Sequence, residues 1–308
     1  MRKLCLGLSF AAMILLVACG SESGTEVSSE LPPGFSERIS SNGDNDNDGE
    51  SSASGNKNSS ATEGTSSDSS KGSSSGSDGG ESADNDASIY DPDENTLTDL
   101  RDGQVYRTTT IDISSESYSE VWMAENLNYR YPGHTTRLDS SSFCYDDEPA
   151  YCDTYGRLYL WSAAMDSVGI IKGNTANGCG HYSECTPSGT VRGVCPKGWH
   201  VPSYDEWNEL ITAVGGFSVA GKMLKSETGW QSFSVIENAD AFGFSALPGG
   251  YRYYNGDYYY EGNFANFWSS TGTTSAYARR VSLLYFDDNA GLDDNSTDDA
   301  FSVRCLKD

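Results

Sequence analysis

The chain is 308 residues long, and 45 acidic residues against 20 lysines and arginines give it a formal charge of −25. That excess argues against a nucleic-acid partner, whose phosphates need a basic face. Hydrophobic residues make up 36% and aromatic residues 12% of the chain, and they are gathered in its second half, where they suffice for one sizeable core.

Arg2 and Lys3 open the chain, an apolar run fills residues 4–17, and Ala18 and Cys19 follow. The run is shorter than the roughly 20 apolar residues of a spanning helix, and the polar residues after Cys19 do not extend it. A small residue before a cysteine at this point marks a lipoprotein signal, with residues 1–18 removed and Cys19 acylated. An ordinary secretory signal is the alternative. Gly20 is not the aspartate that retains some lipoproteins at the inner membrane, so the expected place is the cell envelope, at the outer membrane.

Residues 19–96 are rich in Ser, Gly, Asp and Asn. Between Glu22 and Asp99 there are 18 acids and only three bases, Arg38, Lys57 and Lys71. Too little apolar surface is available to offset the entropy of ordering. The expectation is a disordered acidic tether with a root-mean-square span of roughly 50 Å. Inside it, Asp44, Asp46, Asp48 and Gly49 have the spacing of the first half of an EF-hand loop, but the final ligand position falls on Gly55 rather than Glu. The sequence there reads as a solvated acidic linker.

A folded domain is expected over residues 97–308. In an exported chain its six cysteines point to disulfides. Spacing suggests that Cys144 and Cys152 close one short loop and Cys179 and Cys185 another, leaving Cys195 to join Cys305. A zinc site from Cys179, His181 and Cys185 is the competing arrangement.

The pattern is that of an α+β domain. Ser203 with Glu206 forms a capping box. Trp207, Leu210, Ile211 and Val214 then follow helical spacing, and Gly215-Gly216 ends the helix. Residues 161–165 and 219–224 are shorter helical candidates. Tyr251-Arg252-Tyr253-Tyr254, an Asn255-Gly256 turn and Asp257-Tyr258-Tyr259-Tyr260 read as a hairpin. Residues 301–305 read as a closing strand.

Seven ordered blocks then resemble one family. They are Asp102-Gly103-Gln104-Val105-Tyr106; Trp122-Met123-Ala124-Glu125-Asn126-Leu127-Asn128-Tyr129; Tyr155-Gly156-Arg157-Leu158-Tyr159; and Cys195-Pro196-Lys197-Gly198-Trp199-His200-Val201-Pro202-Ser203 with Glu206-Trp207. After them come Gly243-Phe244-Ser245-Ala246-Leu247-Pro248-Gly249-Gly250-Tyr251-Arg252, Phe267-Trp268-Ser269-Ser270-Thr271, and Phe301-Ser302-Val303-Arg304-Cys305. Residues 99–308 thereby resemble the Fibrobacter succinogenes major paralogous domain. The resemblance implies a C-type-lectin-like fold related to that of formylglycine-generating enzymes, with a long-range disulfide to the last strand. It supplies no catalytic residues.

Most of the motif residues read as structural: Trp199, Trp207 and Trp268 as core, and Glu206 as a cap. Two features stand out as candidate sites. Strand alternation places hairpin tyrosines on both faces, so one face should offer rings to a sugar or a partner. Tyr254, Tyr258, Tyr260 and Trp268 are the candidate ligand contacts. Asp287, Asp288, Asp293 and Asp294 lie in an acidic loop whose oxygens would suit Ca²⁺, although the loop reads first as a solvated acidic turn and no cofactor is expected. The functional expectation is a lipid-anchored, non-catalytic binding module for polysaccharide or a surface protein. The alternatives are an enzyme of the formylglycine-generating type and a structural envelope spacer.

Overall fold

The computed structural model describes residues 86–308, apart from 134–140, 181–182, 186, 188 and 234–236. The signal with Cys19, the tether up to residue 85, the 44–49 loop and His181 lie outside the described residues.

The first strands, β1 (Ser88–Asp91) and β2 (Thr96–Asp99), pair antiparallel. Regular structure therefore begins ahead of the Leu97 boundary expected from composition. The apolar content of this stretch is small, but Tyr90 packs edge-on against Trp199, with ring centroids 5.8 Å apart. Strand β3 (Gln104–Ile113) and β4 (Tyr118–Met123) continue the sheet. Short elements follow: β5 (Ser142–Phe143), α1 (Pro149–Tyr155), β6 (Leu158–Leu160), α2 (Trp161–Ala164) and β7 (Trp199–His200).

Helices α3 (Tyr204–Ala213) and α4 (Phe217–Leu224) lead into β8 (Gly249–Arg252), β9 (Tyr258–Glu261), β10 (Phe264–Gly272), β11 (Tyr277–Leu284) and β12 (Ala290–Ser296). The chain closes with β13 (Ala300–Ser302) and β14 (Leu306–Lys307). The expected single closing strand is thus two, because the chain leaves one sheet at Ser302 and joins the other at Leu306.

Two sheets result. One has six strands in the order β1-β2-β3-β4-β14-β7. The other has eight, in the order β12-β11-β10-β13-β6-β5, with β8 pairing both β13 and β9. With short helices beside them, this is an α+β domain.

Helix α3 starts as the sequence dictates. Ser203 Oγ accepts from the Glu206 N–H, and Glu206 returns a carboxylate to the Ser203 N–H at 2.7 Å. Its inward stripe, Trp207, Leu210, Ile211 and Val214, is buried. Helix α4 lies so close to the turn after β11 that a Cβ on Gly221 would sit 2.7 Å from the Asp288 carbonyl. Only glycine permits that approach.

All three disulfides suggested by spacing are formed: Cys144–Cys152, Cys179–Cys185 and Cys195–Cys305, the last spanning 110 residues.

The family blocks meet in the interior. Trp122, Trp161, Trp199, Trp207 and Trp268 are all fully buried. Two of the indole N–H groups bind backbone distant in sequence: Trp268 donates to the Tyr159 carbonyl at 2.7 Å and Trp161 to the Ser269 carbonyl at 2.8 Å. Arg304, completely enclosed, joins three blocks. Its guanidinium donates to Asn126 Oδ1 at 2.7 Å and to the Phe244 and Ser245 carbonyls, and lies 4.4 Å over the Phe244 ring. Burial pulls its pKa down, and Asp240 and Glu125 oppose the shift. A buried cation of this kind is tolerable only with its donors satisfied.

Candidate functional site

The hairpin β8–β9 forms as expected, but its turn differs. The Gly256 N–H donates to the Tyr253 carbonyl at 2.9 Å, and the Tyr253 N–H to the Asp257 carbonyl at 2.8 Å. Tyr254 and Asn255 keep negative φ, and Gly256 takes φ +100°. This is a three-residue loop, an ordinary turn followed by a left-handed glycine, rather than a two-residue Asn-Gly turn. The register becomes Tyr251 opposite Tyr259 and Arg252 opposite Tyr258. A two-residue turn would have paired Tyr253 with Tyr258, and a slip of one residue exchanges faces.

One face of the hairpin is covered. Tyr258 packs against Tyr145, with centroids 5.2 Å apart, and its hydroxyl donates to Asp147 Oδ1 at 2.6 Å. Arg252, opposite Tyr258, lies 4.2 Å over the Phe143 ring. Tyr258 is therefore half-buried on the opposite side of the hairpin from Tyr259, away from the rings of Tyr251, Tyr253 and Tyr259. The placement of Trp268 with the ligand contacts is corrected. It is 0% exposed and sits beneath Phe301 at 4.4 Å, which in turn carries Tyr251 at 5.7 Å. Two layers of rings separate it from the surface.

The other face carries Tyr251, Tyr253, Tyr254, Tyr259 and Tyr260. Tyr260 has φ +64°, a strained conformation for a bulky residue. The strain has a visible result: rings of the consecutive residues Tyr259 and Tyr260 both lie 6.0 Å from Tyr251, where alternation would separate them. Tyr260 is stacked on Tyr251 at 28° and on Phe264 at 18°, 4.3 Å away. It supports the surface and has no open ring face to offer.

The open rings are Tyr254, 61% exposed, and Tyr259, 38% exposed. Tyr253 sits between them, 4.4 Å from Tyr254 and 6.0 Å from Tyr259. Polar groups frame the rings. Asp257 Oδ2 accepts from Asn255 Nδ2 at 2.7 Å and from the Tyr259 hydroxyl at 3.3 Å. The Tyr254 N–H donates to Asp299 Oδ1 at 2.9 Å. Of the four expected contacts, Tyr254 is at the site and Tyr260 beneath it. Tyr253 and Tyr259 were not singled out; the alternation of β9 read with the correct turn length would have found them.

The acidic loop does not converge. Asp287 caps its own turn, accepting from the Asn289 N–H at 2.9 Å, and Asp294 pairs with Arg279 at 3.0 Å along β11–β12. Asp293 and Asp294 are successive strand residues and face opposite ways. Among the described residues no group of three or more His, Cys, Asp or Glu is placed to hold a metal ion. The turn already holds a cation of the chain's own. Lys225 Nζ, fully buried, donates to the Leu284 carbonyl at 2.9 Å and to the Asp287 carbonyl at 2.8 Å. Burial lowers its pKa to about 8, and Asp288 and Asp287 counter that shift.

Two clefts lie elsewhere. One, of about 600 Å³, is lined by Lys172, Arg192, Lys197 and Asp86 among others. Asp86 there forms a 2.7 Å bridge with Arg192. The second, of about 330 Å³, contains His200, Glu206, Glu209 and Asp308. His200 Nδ1 is 2.7 Å from Asp308 Oδ1 and its Nε2 3.0 Å from Glu206 Oε1. Burial depresses the imidazole pKa, but the two carboxylates outweigh it and leave the pKa raised. Burial likewise pushes Glu206 up, whereas His200 and the Ser203 N–H bring it down to about 2. Glu206 is thus held ionised as a cap, the opposite of what a general acid requires.

A family model described as the Fibrobacter succinogenes major domain matches residues 118–307. No curated protein and no solved structure matches the chain significantly.

Proposed function

This chain belongs to the Fibrobacter succinogenes major domain family, and from that premise we propose that it is a non-catalytic binding module for polysaccharide. In this reading Cys19 carries the lipid, the acidic tether holds the domain away from an envelope membrane, and the domain has a C-type-lectin-like form. The Cys195–Cys305 bridge to the chain's closing segment supports that last point.

The single observation that carries the binding role is the Tyr253-Tyr254-Tyr259 platform. Exposed aromatic rings suit the apolar C–H faces of sugars, and the adjoining Asn255 and Asp257 suit their hydroxyls. Tyr254 is 61% exposed, although Tyr258 and Arg252 on the other face of the same hairpin are half-buried against Tyr145 and Phe143. An enzyme of the formylglycine-generating type needs free thiols in a cleft, and all six domain cysteines are paired.

The test is retention of the whole chain on a panel of cell-wall polysaccharides, compared with the Tyr254→Ala/Tyr259→Ala double variant. Loss of two ring contacts should weaken binding about tenfold or more, with folding unchanged. Equal retention of both proteins would remove the platform from the account. A denatured, non-reduced protein yielding free thiols from the domain would return attention to the enzyme.

A further inference from the structure

The chemistry around the platform narrows the kind of glycan it would take. Asp257 is exposed and is hydrogen-bonded to Tyr259, one of the two open rings. Both hydrogen bonds to its carboxylate engage Oδ2, so Oδ1 retains acceptor capacity at the platform edge. A carboxylate there accepts charge-assisted hydrogen bonds from sugar hydroxyls and repels any acidic substituent on the ring.

Among the described residues no cation forms an ion pair with Asp257. Arg252 lies on the covered face, over Phe143. Arg280 is half-buried, 5.7 Å over the Phe301 ring, where burial lowers its pKa, and it donates to Asn266 Oδ1 at 2.8 Å. Asp299, the acceptor for the Tyr254 N–H, is buried under the rings within reach of Arg280, so the exposed charge at the platform edge is that of Asp257. The chain's formal charge of −25 acts in the same direction at longer range.

We propose that the platform takes neutral glycans and rejects those bearing uronates, sulfates or phosphates, with Asp257 setting the choice. This rests on the polysaccharide reading above and specifies its ligand. At a separation of about 4 Å in water, the Asp257 carboxylate facing one uronate disfavours it by roughly fivefold. The effect is screened by salt, since the Debye length falls to about 3 Å at 1 M.

The experiment is affinity electrophoresis of the whole chain through gels containing a soluble neutral β-glucan, polygalacturonate or polylysine, at low and high salt. Asp257→Asn and Tyr254→Ala run beside it. The expected result is retention by the neutral glucan, insensitive to salt and reduced by Tyr254→Ala. Polygalacturonate should bind at least fivefold more weakly at low salt, with the gap narrowing in high salt and in Asp257→Asn. Equal retention by polygalacturonate at low salt would overturn the selectivity while leaving the platform in place. A gap that Asp257→Asn leaves unchanged would remove Asp257 from its role. No glycan retention sensitive to Tyr254→Ala would overturn the polysaccharide reading itself. Polylysine retention abolished by Tyr254→Ala would assign the site to a cationic protein instead.

Discussion

Two neighbouring segments of the domain treat their side chains in opposite ways. In the closing segment, residues 299–306, polar groups are buried and paired: Arg304 with Asn126 and two carbonyls, and Asp299 with the Tyr254 N–H. In the hairpin beside it, joined through Ala300 and Arg252, apolar rings are left open to solvent. Burying a polar group is costly unless it is partnered, so the first segment is fixed by the rest of the domain. Leaving large rings exposed gains nothing for folding, so the second is the segment where a ligand has something to add. Stability and recognition should therefore respond to different substitutions.

The largest effect is expected from Cys195→Ala/Cys305→Ala. The bridge spans 110 residues, and removing a loop constraint of that size costs about 4–5 kcal/mol. Urea unfolding should show the loss, while the fraction that remains folded keeps its glycan retention. A cost below about 1 kcal/mol would mean that Arg304 and the buried tryptophans hold the closing segment without help from the bridge.

A smaller effect, on the other side of the comparison, is expected from Gly250→Ala. Gly250 has φ +63°, and a Cβ there would lie 2.5 Å from the Tyr259 carbonyl and 2.8 Å from the Glu261 N–H. Those are backbone atoms, so β9 must move away from β8. The combined strain and displacement cost about 1–3 kcal/mol. Gly262→Ala is the control, since its φ is +77° with nothing within 4 Å, and it carries the conformational term alone. Binding should fall more in Gly250→Ala than in Gly262→Ala at equal folded fraction. Equal binding would show that the platform does not depend on the position of β9.

The parts of the molecule that obey local rules were legible in the sequence. The capping box at Ser203, the stripe from Trp207 to Val214 and the short-range cysteine pairs each depend on residues close in sequence. The hairpin was legible as a hairpin, but its faces were not. Those depend on whether Asn255-Gly256 occupies the middle or the end of the turn, and the dipeptide permits either. Tyr260 defeated the alternation rule because its left-handed backbone is held by Tyr251 and Phe264, contacts that no local pattern encodes. Trp268 was doubly readable, as core and as ligand contact; its complete burial beneath Phe301 decides for the core. The acids 287–294 look like a metal loop in sequence, yet the strand pairing of β11 with β12 separates them, and Lys225 arrives from a different element to occupy the turn.

The smallest expected effect tests whether the chain's end belongs with the closing segment. His200 carries a carboxylate on each ring nitrogen, Glu206 and Asp308, and only an imidazolium can donate to both. Glu120 and Tyr118 from β4, Glu209 from α3 and Lys307 from β14 surround the same cleft. The folded pKa of His200 is raised above 6.5, so its contribution is complete below pH 6.5 and is lost as the pH rises through the folded value. For Glu206 the folded value is about 2 against 4.5, so its contribution is complete above pH 4.5 and is lost as the pH falls toward 2. The pair is therefore at full strength between pH 4.5 and 6.5. The urea midpoint of the protein, compared with that of His200→Gln, should show its largest advantage near pH 5.5 and a shrinking one by pH 8. A difference that stays flat from pH 5 to 8 would mean that the two carboxylates do not share the imidazole in solution. Glycan retention should not follow this curve, because β7, α3 and β14 hold the His200 cluster and none of them contributes a ring to the platform.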